Sequence, residues 1–187
     1  MKTSRWGATL GVVGVLLGFT AGAQEAGAEA VPAGAPVTHR ITAYVHSGVG
    51  FFLSDFRTMG GIGGGLGVRD TLDERYILQA DARYLVGLGN AVELRAGAGV
   101  QRRGLWTPAA LVTLSGMMGG GMRFMTPARS TPVRAPALAV GLQLAPLRFT
   151  HAGTQLSLFE VGLGVGTEWP GTGVSLHLTL LQAGTSF

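Results

Sequence analysis

The stretch YILQADARYLVGLGNAVELRAGAGV, residues 76–100, alternates apolar and polar residues on both sides of Gly89-Asn90. A period of two predicts two antiparallel strands joined by a short turn. The apolar face carries Tyr76, Leu78, Ala80, Ala82, Tyr84, Val86, Leu88, Val92, Leu94, Ala96, Ala98 and Val100, and the opposite face carries Gln79, Asp81, Arg83, Glu93 and Arg95. A soluble sheet would bury the apolar face and expose the charges. The rest of the chain must decide which face lies inside.

The composition argues against a water-facing exterior. Charged residues make up 13% of the chain, whereas a soluble domain carries about 25%. Hydrophobic residues make up 47%, and there are 32 glycines. The chain therefore has too few charges to cover a sheet protein of this length with a soluble surface.

The N-terminal residues have the pattern of a secretory signal peptide. Lys2 and Arg5 precede an apolar run over 8–19, and Ala21-Gly22-Ala23 provides the small residues that signal peptidase requires. The apolar run is too short for a membrane-spanning helix. We expect cleavage near Ala23, which divides the chain into a signal peptide (1–23), a flexible segment (24–36) and a folded domain (37–187).

The charge balance of the secreted part excludes nucleic acid as a partner. Removal of Lys2 and Arg5 leaves 12 of the 14 basic residues against ten acids, a formal net charge of +2. All 12 are arginines, and no basic run is present. The chain contains no cysteine, so disulfides and a lipid-modified cysteine are excluded.

Beyond residue 37 the sequence shows alternating segments and no run at helical spacing. The predicted strands are about eight in number and cover 39–52, 60–69, 75–88, 91–102, 106–118, 134–147, 155–168 and 172–187. In most of them one face is bulky and aliphatic, whereas the other holds glycine, alanine or a few charged groups. A change of alternation at Leu180-Leu181 predicts a bulge in the last strand.

This distribution predicts a closed membrane barrel with its apolar face outward. Glycine-rich faces would fill the core of a soluble sandwich poorly, but inside a narrow barrel they leave room for long side chains. The segment lengths suit strands that cross a bilayer. The predicted fold is all-β, an eight-stranded antiparallel up-and-down transmembrane β-barrel.

The aromatic residues fall near the two predicted membrane interfaces. With the N-terminus of the barrel in the periplasm, the inner ends carry Tyr76, Trp106, Phe149 and Phe187, and the outer ends carry Phe51, Phe52 and Trp169. In this orientation the longest connection, about 119–133, lies outside the cell.

The signal peptide, the eight alternating segments and the terminal Phe187 resemble those of the small bacterial outer-membrane barrels of the OmpA/OmpX/OmpW type. The resemblance covers residues 37–187 and carries no catalytic motif. It implies location in the outer membrane of a Gram-negative bacterium, and it implies that Phe187 is an assembly signal for the barrel-assembly machinery.

Seven charged residues are predicted to share the lumen: Arg40, Asp81, Arg83, Glu93, Arg95, Glu160 and Glu168. Unpaired charges there would be expensive, which favours a salt-bridged network that plugs the barrel. The alternative is a narrow ion path lined by the same residues.

Other candidate sites are weaker. His39, His46, His151 and His177 are too scattered to predict a metal site, and we expect no metal or cofactor. Ser175, His177 and Glu160 offer the residue types of a lipid-modifying hydrolase, but the predicted hairpin places Glu160 far along from His177. The glycine-rich stretch 60–67 lacks the lysine and helix of a phosphate-binding loop.

The predicted outer loop offers a binding surface. Its arginines could hold lipopolysaccharide phosphates and its methionines could adapt to a partner, or the loop could be mobile without a specific ligand. The residues concerned are Arg123, Arg129, Arg134, Met122 and Met125.

The sequence therefore favours a non-enzymatic outer-membrane β-barrel that is a structural or partner-binding component of the cell envelope. Its expected partners are outer-membrane lipid and lipopolysaccharide, the assembly machinery and other envelope proteins. The second hypothesis is a small, porin-like pore or lateral conduit for small or apolar solutes. The third is an enzyme that modifies lipid A.

Overall fold

The structure, a computed structural model, describes residues 37–121, 136–168 and 171–187. Val37–Phe187 forms one compact unit. Its strands are β1 (His39–Ser54), β2 (Thr58–Leu72), β3 (Tyr76–Leu88), β4 (Ala91–Gln101), β5 (Ala109–Gly119), β6 (Ala137–Ala145), β7 (Leu147–His151), β8 (Thr154–Glu168) and β9 (Gly171–Ser186). Within these described ranges no helix is long and apolar enough to cross a membrane.

The strands form one closed antiparallel sheet. Each strand from β1 to β5 pairs with the next strand in the chain. β9 pairs with both β8 and β1, and the pairing with β1 closes the sheet. β6 and β7 pair with successive parts of β8. Together they make up one of the eight strands of the barrel wall, each of which we call a stave, and this one is the sixth stave. The prediction of an eight-stranded up-and-down antiparallel barrel is confirmed.

The two ends of the barrel differ in their connections. We call the end with turns 73–75, 102–108 and 152–153 the lower rim, and the opposite end, with 55–57 and 89–90, the upper rim. The first residues of β1 and the last residues of β9 also lie at the lower rim.

Pro146 interrupts the sixth stave. Paired residues run from Leu138↔Thr167 to Leu144↔Val161 in β6 and resume at Leu147↔Leu158 in β7. Proline has no N–H to donate, so it breaks a ladder of hydrogen bonds. The predicted segment 134–147 was therefore wrong at its end, because the stave continues beyond the proline to His151.

The predicted boundaries also differ in the second and fifth segments. β2 is longer than the predicted 60–69. β5 begins at Ala109, three residues after the predicted start, and Trp106 contributes only an isolated bridge to Phe149. Pro108, just before the strand, explains the late start of β5.

The aliphatic face of the opening stretch points outward, as predicted. Leu78 is 50% exposed and Leu94 is 57% exposed, whereas Asp81, Arg83 and Glu93 are buried. The same division extends around the wall, where large apolar side chains such as Val45, Ile62, Leu66, Val112, Leu114, Val140, Leu163 and Val174 are exposed.

The predicted bulge at Leu180-Leu181 is confirmed and has a counterpart in β8. The pairing of β1 with β9 shifts between Ser47↔Leu181 and Gly48↔Thr179. In β8 the pairing skips Phe159, whose φ is 61°, a left-handed conformation that is rare for a residue with a side chain. Leu158 and Phe159 consequently both point outward.

Glycines make room inside the barrel at two decisive positions. A Cβ on Gly67 would lie 2.5 Å from the Tyr44 ring, and a Cβ on Gly50 would lie 2.5 Å from the guanidinium of Arg83. Both distances are below van der Waals contact. A side chain at either position would therefore displace the Tyr44 ring or the end of the Arg83 side chain.

The interior has apolar clusters at different heights. The upper cluster contains Phe52, Met59, Leu85, Ala91, Met117, Ala137 and Ala139. The lower cluster contains Ile77, Ala109, Leu111 and Ala145. Between these levels the inward side chains are polar or charged.

The predicted aromatic belts are found in part. At the lower rim Tyr76, Trp106 and Phe187 are exposed, and Phe149 is half-buried. At the upper rim Phe51 is half-buried, but Phe52 is 1% exposed and belongs to the upper interior cluster. The placement of Phe52 in the outer belt was wrong, because neighbouring residues on a strand point to opposite faces. Trp169 lies outside the described residues.

Candidate functional site: the charged lumen

Asp81 forms the centre of one buried cluster. Arg95 on β4 donates to both carboxylate oxygens of Asp81 on β3, at 3.1–3.2 Å. The hydroxyl of Tyr44 on β1 donates to the same carboxylate at 3.1 Å, and Nε2 of His46 lies 3.8 Å from it. Asp81 thus ties three strands together through their inward side chains.

A second cluster surrounds Glu93. Nε of Arg83 donates to Oε2 of Glu93 at 2.8 Å, and Nδ1 of His177 lies 2.9 Å from Oε1. Arg83 also donates to the backbone carbonyl of Val49 at 3.1 Å. This cluster connects β3 and β4 with β1 and β9, across the lumen.

A third cluster contains side chains from both sides of Pro146 in the chain. Arg148 on β7 donates to Oε1 of Glu160 at 2.7 Å, and Gln143 on β6 donates to Oε2 at 2.6 Å. With its amide oxygen facing Arg69, Gln182 accepts from Arg69 at 2.9 Å and donates to Glu160 at 3.1 Å. Glu160 therefore connects both halves of the sixth stave with β8 and β9.

Arg69 is fully buried and is held by amide oxygens. It donates to Gln79 at 2.9 and 3.1 Å, and Gln155 accepts from its Nη1. Its guanidinium also lies 4.9 Å from the centre of the Tyr44 ring. In the described part of the chain no carboxylate lies within 4.0 Å of Arg69, so neutral dipoles and the aromatic face replace a direct ion pair.

A further buried ion pair lies at the upper end. Arg57, in the connection between β1 and β2, pairs with Glu168 at the end of β8. Ser54 donates to Glu168 at 2.9 Å, and Arg57 donates to the carbonyl of Gly119 at 3.0 Å. Arg57 and Glu168 are both buried, and they lie at the same end as the upper apolar cluster.

Six of the seven charged residues expected in the lumen are buried inside the barrel, in separate clusters rather than one network: Asp81, Arg83, Glu93, Arg95, Glu160 and Glu168. Arg40 lies apart from these buried clusters. Its side chain is 39% exposed and pairs with Glu74 at 2.6 Å on the lower rim. Alternation gives the inward face correctly, but Arg40 is the second residue of β1 and lies at the mouth.

Three buried arginines were missed: Arg57, Arg69 and Arg148. Arg69 follows the inward glycines of β2 at the expected spacing of two, so the alternation itself could have identified it. The inward direction of Arg148 depends on the break at Pro146, which reverses the alternation of the sixth stave. Arg57 lies in a connection, where alternation predicts nothing.

The expected separation of Glu160 from His177 was also wrong. The residue opposite His177 is Gly162, and Glu160 is opposite Thr179, one pair along the inward face. His177 nevertheless contacts Glu93 and Arg83. Among the described residues Ser175 makes no hydrogen bond with His177, and no group of three metal-ligating side chains is present.

A polar cavity of about 400 Å³ opens at the lower rim. Its lining includes three charged side chains, Arg40, Glu74 and Arg103, and three polar ones, Gln101, Thr107 and Thr150. Arg103 is held by two hydrogen bonds to the carbonyl of Asp73, at 3.0 and 3.2 Å. The cavity is a water-accessible vestibule below the buried clusters.

The remaining predicted sites are peripheral or lie outside the described residues. Phe187 is 78% exposed at the lower rim, and its backbone N–H donates to Ile41 at 3.0 Å. The residues assigned to an outer loop fall outside the described part of the chain: Met122, Arg123, Met125, Arg129 and Arg134.

No protein-family model matches the chain, and no curated protein matches it in sequence. Among solved structures, the chain is similar to Ail, the attachment invasion locus protein of Yersinia pestis, in its complex with the heparin analogue sucrose octasulfate. The identity is 13% and the TM-score is 0.46, with 80% of this chain and 99% of the Ail chain covered. Likeness at this level does not transfer a ligand or an activity to this chain.

Proposed function

We propose that this chain is a non-enzymatic outer-membrane β-barrel that serves as a structural or partner-binding component of a Gram-negative cell envelope. The observation that carries the proposal is the inverted polarity of the wall. Large aliphatic side chains cover its outer surface, and the ion pairs are inside.

Lipid is the solvent that suits this outer surface. Val45, Leu66 and Leu94 are each more than 55% exposed, on three different strands of the barrel. In water, an apolar surface that extends around the wall would cause the protein to associate, because exposed apolar patches of that extent drive association. A closed barrel also leaves no unpaired sheet edge, as hydrocarbon requires.

The filled lumen favours a structural or binding role over conduction. Arg69, Arg148, Glu93 and Glu160 are each no more than 2% exposed. An ion that crossed the barrel would have to displace these paired groups, at a high energetic cost. The work of such a protein then depends on its rims and loops.

The partner-binding role is assigned to the upper rim. Met122, Arg123, Met125, Arg129 and Arg134 belong to the longest connection between strands, and arginine forks suit lipopolysaccharide phosphates. Phe187 is assigned to recognition by the barrel-assembly machinery.

Membrane fractionation and bilayer recordings test this function together. We expect the protein to fractionate with outer membranes, to migrate faster on gels before heating than after, and to give no channels above background in planar bilayers. Recovery in the soluble fraction with no heat-dependent mobility would contradict the barrel's membrane location. Steady channels would contradict the structural role and support the pore hypothesis.

A lateral conduit is a second candidate because the wall has a line of interruptions. Between β8 and the sixth stave, Pro146 and Phe159 are left out of the ladder, and the neighbouring β9 bulges at Leu180. An apolar solute could leave the barrel at this level, where the backbone pairing is interrupted. Uptake of an apolar dye into vesicles that depends on the barrel would support the conduit. If the barrel causes no uptake, the conduit is contradicted.

A further inference from the structure

Two arginines of the lower rim lie over exposed aromatic rings. The guanidinium of Arg75 lies 5.7 Å from the centre of the Tyr76 ring, and that of Arg102 lies 5.4 Å from the Trp106 ring. Tyr76 and Trp106 are 48% and 47% exposed, respectively. Both arginines therefore lie against the aromatic belt of the lower rim and are separate from the buried clusters of the lumen.

The two pairs are neighbours on the same part of the wall. Tyr76 is opposite Val100 in the β3–β4 ladder, and the N–H of Gln101 donates to the carbonyl of Arg75 at 2.8 Å. Arg102 is the next residue after Gln101. Trp106 is fixed from its other side, because its indole N–H donates to the carbonyl of Pro146 at 2.8 Å.

Neither arginine has an acidic partner in the described ranges. No carboxylate lies within 4.0 Å of Arg75 or Arg102 there. By contrast, Arg40 at the same rim pairs with Glu74, and Arg103 donates to the carbonyl of Asp73. Within the described residues, the N–H donors of these two guanidiniums therefore have no carboxylate acceptor and can serve an external one.

The position of Arg75 and Arg102 on the barrel indicates which kind of acceptor their N–H groups would meet. Tryptophan and tyrosine at a membrane interface lie at the level of the headgroups. A guanidinium that lies over an aromatic ring retains N–H donors, and their geometry matches the oxygens of a phosphate. Basic groups at this level also attract anionic lipids.

We propose that Arg75 and Arg102, which lie over the rings of Tyr76 and Trp106, bind the phosphate of an anionic glycerophospholipid in the leaflet at the lower rim. This inference rests on the proposed function, because it requires the wall to be in a bilayer. In the orientation with the lower rim in the periplasm, the leaflet concerned is the inner one of the outer membrane.

Spin-labelled lipids test the site directly. The barrel is reconstituted in phosphatidylcholine vesicles with trace spin-labelled phosphatidylglycerol or phosphatidylcholine, and the motionally restricted fraction is measured by electron spin resonance. We expect a preference for phosphatidylglycerol of about twofold, averaged over all lipids around the barrel, because only a few positions carry the basic groups. The double variant Arg75→Gln/Arg102→Gln should lose this preference.

The double variant Arg40→Gln/Arg103→Gln is the matched control, since it removes two charges at the same rim from side chains that line the vestibule. It should keep the preference. Equal loss in both variants would show a general charge effect and overturn the site, as would no loss in either. Replacement of chloride by inorganic phosphate at constant ionic strength should leave the preference for phosphatidylglycerol unchanged. Loss of the preference under these conditions would assign the site to free phosphate.

Failure of the inference and failure of the proposed function give different spectra. A restricted component without selectivity contradicts only the lipid site. The absence of any restricted component from either lipid would mean that the wall does not contact acyl chains, which contradicts the membrane barrel itself.

Discussion

Arg148 donates a 2.7 Å hydrogen bond to Glu160 directly behind the interruption at Pro146, and neither side chain is more than 1% exposed. Arg148 follows the proline by two residues, and Glu160 follows the irregular Phe159. The ion pair therefore joins the two strands at the level where their backbone ladder is broken.

Loss of this pair should destabilise the barrel strongly. Glu160→Gln removes the charge that compensates Arg148, and breaking a buried pair costs about 3–5 kcal/mol. Urea unfolding in detergent micelles, followed by tryptophan fluorescence, measures the free energy of unfolding. The exposed pair of Arg40 and Glu74 provides the control, because Glu74→Gln should cost no more than about 1 kcal/mol. Equal effects of the two substitutions would mean that Glu160 is not buried with its partner.

An added methyl group at Gly67 should also be destabilising. The new Cβ would lie 2.5 Å from the Tyr44 ring and 2.7 Å from Cβ of Asp81, so Gly67→Ala should lower the free energy of unfolding by about 1–3 kcal/mol. Gly116→Ala is the control, since its Cβ would meet only Leu138 at an ordinary 3.4 Å. Tolerance of alanine at Gly67 would contradict a lumen filled by Tyr44.

The energetic cost of a charge on the outer wall should depend on its height. Leu94 lies near the middle of β4 and is 57% exposed, so Leu94→Arg should cost about 2–4 kcal/mol in a bilayer. Leu53 lies near the upper end of β1, and Leu53→Arg should cost at most about 1 kcal/mol. Unfolding in lipid vesicles compares the two variants. Equal, small costs would indicate an outer wall in contact with water.

The conformation of Phe159 makes a prediction about side-chain preference. At a φ of 61°, a β-branched residue is strained and glycine is not, so Phe159→Gly should be more stable than Phe159→Val by about 1–2 kcal/mol. The neighbouring Leu158 also points outward, but its φ is not in the left-handed region. At Leu158 the order of stability should reverse, with Leu158→Val more stable than Leu158→Gly, because valine is favoured over glycine in a regular strand. The same order at both positions would contradict the bulge.

Much of the wall could be predicted from the sequence, because the two faces of each strand differ in chemistry. The alternation around Leu78, Leu94, Asp81 and Glu93 gave the direction of these side chains correctly. The direction was missed where the alternation is broken. Arg148 follows the proline that interrupts its stave, and Arg57 lies in a connection.

Height along the barrel was predicted less well than direction. Arg40 was placed in the lumen because its face is the inward one, yet it lies at the mouth beside Glu74. Glu160 was placed too far from His177, because the pairing of β8 with β9 depends on where the turn lies. Small errors in a turn shift every pair along a hairpin.

Where the alternation is regular, the sequence alone determined which residues face outward, and the spacing of the turns determined that the sheet has eight staves. The partners inside the barrel were decided by the tertiary structure. Arg69 and Gln155 are 86 residues apart in the chain and meet only because the sheet closes on itself. A closed cylinder brings the inward side chains of distant strands within hydrogen-bonding distance, and this depends on the register of the whole sheet.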